Sequence, residues 1–142
     1  MKEQNFRNHS RMVPGYHYIG GGLILLLIVG SIVNVITSNK ENLYNASLIV
    51  VMSVTLLIVA YYARAFALKA QDRAIKVEEN FRHYILTGIP LSKELRMRQI
   101  IGLRFASDSE FPELAKQAIS ENLSEKEIKR KIKEWNPNTY RV

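Results

Sequence analysis

Three histidines, His9, His17 and His83, are the side chains in this sequence best suited to bind a metal or move a proton near neutral pH. Each stands isolated, and none forms a His-Glu-x-x-His pattern. There is no cysteine, which excludes disulfides, thiolate metal sites, iron–sulfur clusters and thiol nucleophiles. The run Gly20-Gly21-Gly22 has the residue type that cradles phosphate, but it sits inside an apolar stretch, where close helix packing is the better account. No GxxxxGK[ST], GxSxG or paired-carboxylate signature is present. The chain is therefore read as non-enzymatic, with no catalytic, cofactor-binding or metal residues.

Other residues carry recognition. Lys126, Lys129, Arg130, Lys131 and Lys133 crowd one short segment, a candidate contact for an anionic surface. Anionic lipid and nucleic acid both fit such a segment, and so does a solvated face balanced by Glu125, Glu127 and Glu134. Asn34 and Asn45 are polar residues inside apolar runs; they either hydrogen-bond to each other or, for Asn45, meet interfacial water.

The elements that must position these residues are dominated by two uncharged apolar runs, residues 18–37 and 43–63. At about 1.5 Å per residue each covers roughly the 30 Å of a hydrocarbon core. The five-residue link SNKEN forces an antiparallel hairpin. The flanks are basic: Lys2, Arg7 and Arg11 precede the first run, and basic residues outnumber acidic ones beyond Arg64 in a chain of net charge +7. The positive-inside rule then places both termini in the cytoplasm. Tyr16, Tyr18, Tyr61 and Tyr62 fall at one interface and Tyr44 at the other. The first run is too long for a signal-peptide core and reads as a retained anchor. Gly22 and Gly30, eight apart, are expected to share one packing face, and Asn34 is the one strongly polar group deep in the first run.

The second run continues without Gly or Pro into a charged, helix-favouring segment, so one helix is expected to reach about Leu86, with Gly88 and Pro90 as the stop. Positions 60, 63, 67, 70, 74, 77 and 81 alternate steps of three and four, the spacing of a heptad seam. Ala60, Ala63, Ala67, Ala70 and Ala74 fill most of it. Three partners are open: the chain's own C-terminal helices, a second copy, or another membrane protein. Asp72–Lys76 and Glu78–Arg82 are spaced for ion pairing on the same helix.

Three short helices are expected in the tail. The first spans Lys93 to about Ala106 after Ser92. The second starts from a Ser107–Glu110 capping box. The third runs from a Ser124–Glu127 capping box to Trp135, with Ile128, Ile132 and Trp135 on one face.

The stretches KEQNFRNHSRMVPGYHYI, ARAFALKAQDRAIKVEENFRH and RQIIGLRFASDSEFPELAKQA resemble an uncharacterised bacterial family of small two-span membrane proteins, a domain of unknown function whose members sometimes carry an "ABC transporter permease" label. The resemblance implies a bacterial inner-membrane location and no activity. The expected architecture is all-α: an N-terminal segment (1–17), a first transmembrane helix (18–37), an outer loop (38–42), a second transmembrane helix (43–63), its cytoplasmic helical extension (64–88) and a small helical cytoplasmic module (89–142). The function this favours is an accessory or scaffold subunit in the bilayer. A membrane-tethered binder of anionic lipid or RNA is the alternative.

Overall fold

The computed structural model describes Phe6 and residues 13–137. Lys2, Arg7, Arg11 and His9 lie outside the described residues. Among those described the chain is all-α, with two long N-terminal helices followed by three short ones and no sheet. A π-helical segment, Gly15–Gly20, follows Pro14 and leads into α1, Gly21–Thr37; α2 is Leu43–Thr87. Then come α3, Met97–Leu103, α4, Phe111–Ser120, and α5, Glu125–Lys131. Residues 13–67 form one compact unit; Phe6 and residues 68–137 form a second.

The second helix is uninterrupted for 45 residues, about 68 Å, as the absence of Gly and Pro led one to expect. It ends where Gly88 takes a φ of +75°, a conformation that glycine adopts without steric cost.

In the first unit the packing stripe differs from the expected one. Ser31, Ala46 and Ser53 are buried, flanked by the partly covered Ile24, Ile28 and Val35 on α1 and Val50 and Ala60 on α2. On α1 these positions step by four, three and four, and on α2 by four, three and seven, the spacing of knobs-into-holes packing with one position of α2 left open. Gly22 and Gly30 do not set the close approach: a methyl group added at either would meet nothing within 4 Å. Eight residues carry a helix about 80° past two full turns, so the two glycines do not lie on one line.

The second unit has a true core. Ile75, Ile100, Leu103, Phe105, Phe111, Leu114, Ala118, Ile128 and Ile132 are buried together. Here α2 contributes Ile75, Glu79 and His83 as its covered positions, so the small helices pack there and not on the alanine seam. Ala118, Leu123 and Gln99 show how tightly the loops are tied: the Gln99 side-chain amide donates to both the Ala118 and Leu123 carbonyls at 2.9 Å.

The short helices are trimmed relative to expectation. The first begins at Met97, not Lys93, because Ser92 Oγ accepts from Glu94 N in a turn and Gln99 Oε1 takes the Arg96 amide instead. The second begins after Glu110, one turn beyond Ser107. The Glu110 carboxylate accepts from the Lys133 and Glu134 amides, a longer-range duty than a capping box. The third has its expected capping box, with Ser124 Oγ accepting from Glu127 N and the Glu127 carboxylate accepting from Ser124 N. It stops at Lys131, since residues after it pair with residues 105–107: Ser107 N donates to Glu134 O and Asn136 N to Phe105 O. That bridge lays the Trp135 ring against Phe105 at 5.3 Å.

Candidate functional site

The polar contact between α1 and α2 is a serine pair. Ser31 Oγ and Ser53 Oγ lie 3.3 Å apart, and each is also within 2.8 Å of a carbonyl one turn back in its own helix, Ile28 O and Val50 O. Both hydroxyls are thus satisfied in an apolar setting, and the small side chains let the backbones close. Asn34 and Asn45 do not make the expected amide bond; both are exposed. They were matched by distance from the turn, which sets depth, but rotation sets facing. Asn34 is one residue, about 100°, from the inward Val35, and Asn45 one residue from the inward Ala46.

At the other end of the hairpin, Tyr16 Oη donates to Ala60 O at 2.5 Å. His17 Nδ1 stays local, 3.0 Å from Val13 O. Beside them an apolar cleft of about 510 Å³ is lined by Tyr16, Gly20, Gly21, Ile24, Leu57 and Tyr61. Gly20 and Gly21 leave it unfilled.

The second unit holds a set of charges on one face of α2. The Arg82 guanidinium donates to Asp108 Oδ1 at 2.7 Å, to Ala106 O at 2.7 Å and to Glu79 Oε2 at 3.2 Å, and it stacks over the Phe111 ring at 4.6 Å. Arg82 therefore pairs with Glu79 and Asp108 rather than with Glu78. Glu79 and Arg104 are both buried. Burial pushes the Glu79 carboxyl above its ordinary value, against the opposing pull of Arg82, and lowers Arg104 for the same reason. His83 is buried edge-on to Phe111, its Nδ1 2.9 Å from Ile89 O. These groups clamp α2 to the loops around α3 and α4. No group of three or more metal-binding side chains occurs among the described residues.

The basic segment is less available than its sequence suggests. Lys129 is buried, with Nζ 2.6 Å from Glu125 Oε1 and 5.0 Å from the centre of the Phe105 ring, so it does not belong to an outer anionic contact. Burial follows from its place one residue after Ile128, on the edge of the face that enters the core. Lys131 pairs with Glu121 at 2.8 Å, and that hydrogen bond holds the Glu121 carboxyl below its ordinary value. Arg130 lies over the Phe6 ring at 5.6 Å. Lys126 and Lys133 are exposed.

The alanine positions divide. Ala60 is partly covered beside Tyr16, while Ala63, Ala67, Ala70 and Ala74 are exposed. From Ala70 the exposed line runs on through Val77, Phe81 and Tyr84. This apolar line is the feature that sequence spacing located and that the chain's own packing leaves open. The Ser31–Ser53 pair was missed. Its signal was a seven-residue repeat of small residues, Ala46, Ser53 and Ala60, one stretch upstream of the alanines already noted.

No curated protein and no solved structure matches the chain. Two helices among the described residues are long and apolar enough to cross a membrane. The family described as "Family of unknown function (DUF6526)" matches residues 1–142, so the chain belongs to DUF6526.

Proposed function

We propose that this chain is a non-enzymatic, membrane-anchored scaffold whose α1–α2 hairpin lies in a bilayer and whose second unit presents the exposed apolar line of α2 to a protein partner. One observation carries the reading. The apolar windows of the two helices are almost bare of protein cover, with 6% and 11% of their residues buried, whereas a core helix of a water-soluble protein is covered by its neighbours. Side chains such as Leu26, Ile36, Met52 and Val59 then face lipid. Basic flanks favour cytoplasmic termini, and a bacterial inner membrane is the location the sequence resemblance supports.

The test is fractionation followed by co-purification. The full chain should resist alkaline extraction from membranes. Ala70→Leu or Ala67→Leu should lower recovery of the protein partner, since overpacking a close seam costs about 1–3 kcal/mol. Extraction by alkaline wash removes the anchor reading; recovery unchanged in both variants removes the seam.

A second reading, a tethered binder of anionic lipid or RNA, rests on the exposed Lys126 and Lys133 together with Arg130. The burial of Lys129 and the pairing of Lys131 leave it less charge to work with. Reversing Lys126 and Lys133 to Glu should abolish retention on anionic vesicles or RNA where this reading holds.

A further inference from the structure

Within the second unit, α2 has two opposite faces. In heptad terms, Ile75 and Arg82 occupy b, Glu79 occupies f and His83 occupies c; these turn toward the chain's own core and loops. Ala70, Val77 and Tyr84 occupy d, and Ala74 and Phe81 occupy a; all five are exposed, with Val77 also bordering a cleft lined by Asn80, Leu91 and Leu95. These a and d side chains are large as well as small: Val77 is 70% and Phe81 63% exposed. Leaving them in water is unfavourable by roughly 25 cal/mol per Å2 of apolar surface.

The charges beside this line choose its occupant. Arg73 stands at g and Glu78 at the e position five residues later. Both are exposed and neither takes part in the ion pairs of the described residues. In two parallel, in-register helices, g of one chain faces the following e of the other. A second copy would therefore bring Arg73 to Glu78 twice, once on each side of the seam. The other g and e positions, Phe66 with Gln71 and Asn80 with Ile85, bring no like charges together. Antiparallel pairing sets g against g and e against e, and loses both ion pairs.

We propose that the occupant of this face is a second copy of the same chain, paired in parallel through Ala70, Ala74, Val77, Phe81 and Tyr84 and flanked by reciprocal Arg73–Glu78 ion pairs. The proposal rests on the scaffold reading and names its partner. A shared bilayer would hold two copies in the same orientation, which a two-fold axis along the membrane normal requires.

The absence of cysteine makes the test clean. Single cysteines are placed in the full chain at Ala70, Ala74, Val77 and Phe81, and at Lys69 and Lys76 on the c positions. Mild oxidation in native membranes is followed by non-reducing electrophoresis. Disulfide dimers are expected at the four seam positions, several-fold above those at Lys69 and Lys76. Arg73→Glu should lower the yield by setting Glu against Glu, and the double swap R73E/E78R should restore it. Equal cross-linking at Lys69 and Lys76, no dimer at the seam, or a yield indifferent to Arg73→Glu overturns the pairing. Flotation of the same samples with membranes is read separately. A floating chain that stays monomeric sinks the pairing alone, and a chain that fails to float sinks the anchor reading.

Discussion

Glu79 and Glu127 are both glutamates on helices, and their surroundings push them in opposite directions. Burial raises Glu79 above its ordinary value of 4.5, while hydrogen bonds from Ser124 hold Glu127 below 4.5. A carboxyl raised in the folded chain keeps its proton at a pH where the unfolded chain has lost it. Stability therefore falls as pH climbs from 4.5 through the raised value. A lowered carboxyl gives the opposite slope: its contribution is present above 4.5 and lost as pH falls through the folded value. Thermal midpoints measured across pH should separate the two. Glu79→Gln is expected to flatten the decline just above 4.5, and Glu127→Gln to flatten the loss below it. A wild-type profile with no decline above 4.5 would contradict the account of Glu79. The serine pair makes a simpler prediction. Ser53→Ala keeps the side chain small and removes one weak bond, so it should cost about 0.6 kcal/mol. Ser53→Leu forces the helices apart and should cost about 1–3 kcal/mol, read as a lower melting midpoint in detergent.

At the scale of elements, α3 and α5 meet at a glycine. A methyl group at Gly102 would lie 3.2 Å from Glu125 O and 3.2 Å from Ile128 Cγ2, both tighter than ordinary contact. Gly102→Ala gains about 1 kcal/mol of helix propensity to set against that crowding. Gly102→Val adds more bulk and gains less propensity, so it should lose about 1–3 kcal/mol, and the loss of the α3–α5 contact should appear as a shift in the environment of Trp135. Intrinsic tryptophan fluorescence reads it directly, as Trp135 is the chain's single tryptophan. This contact also marks where sequence reasoning stops. The length of α2 was legible because it depends on local terms: no Gly or Pro from Leu43 to Thr87, then Gly88 at positive φ. The Ser124–Glu127 cap was legible for the same reason, as both partners lie within one turn. The early end of α5 was not, because it is set by Phe105 and Ser107, more than twenty residues away. Asn34 and Asn45 failed as a pair on helix rotation, and Lys129 failed as a surface residue because its burial depends on Phe105. The heptad spacing on α2 was legible as a period along one helix, and the chain's own fold leaves Ala63, Ala67, Ala70 and Ala74 exposed.

For the molecule as a whole, the apolar hairpin and the charged unit ask for different surroundings. The first carries many exposed leucine, isoleucine and valine side chains; the second buries a core of its own and pairs several of its charges. A place where an apolar phase borders water would satisfy both, which is the physical content of the anchor reading. The anchor reading predicts that the link between α1 and α2 and the residues of α5 are reached from opposite sides of the membrane. Lys40 in that link and Lys126 on α5 are both exposed, and the chain has no cysteine to confuse a label. In intact cells, Lys40→Cys should react with a maleimide that cannot cross membranes, and Lys126→Cys should react only after the cells are opened. On the anchor reading, the basic flanks favour this orientation over its inverse, as the positive-inside bias of Lys and Arg predicts. Labelling of Lys126→Cys in intact cells, with Lys40→Cys silent until lysis, would invert the orientation but keep the hairpin. Labelling of both from outside would mean that α1 and α2 do not separate the two sites at all, and the apolar surface of the hairpin would need another cover.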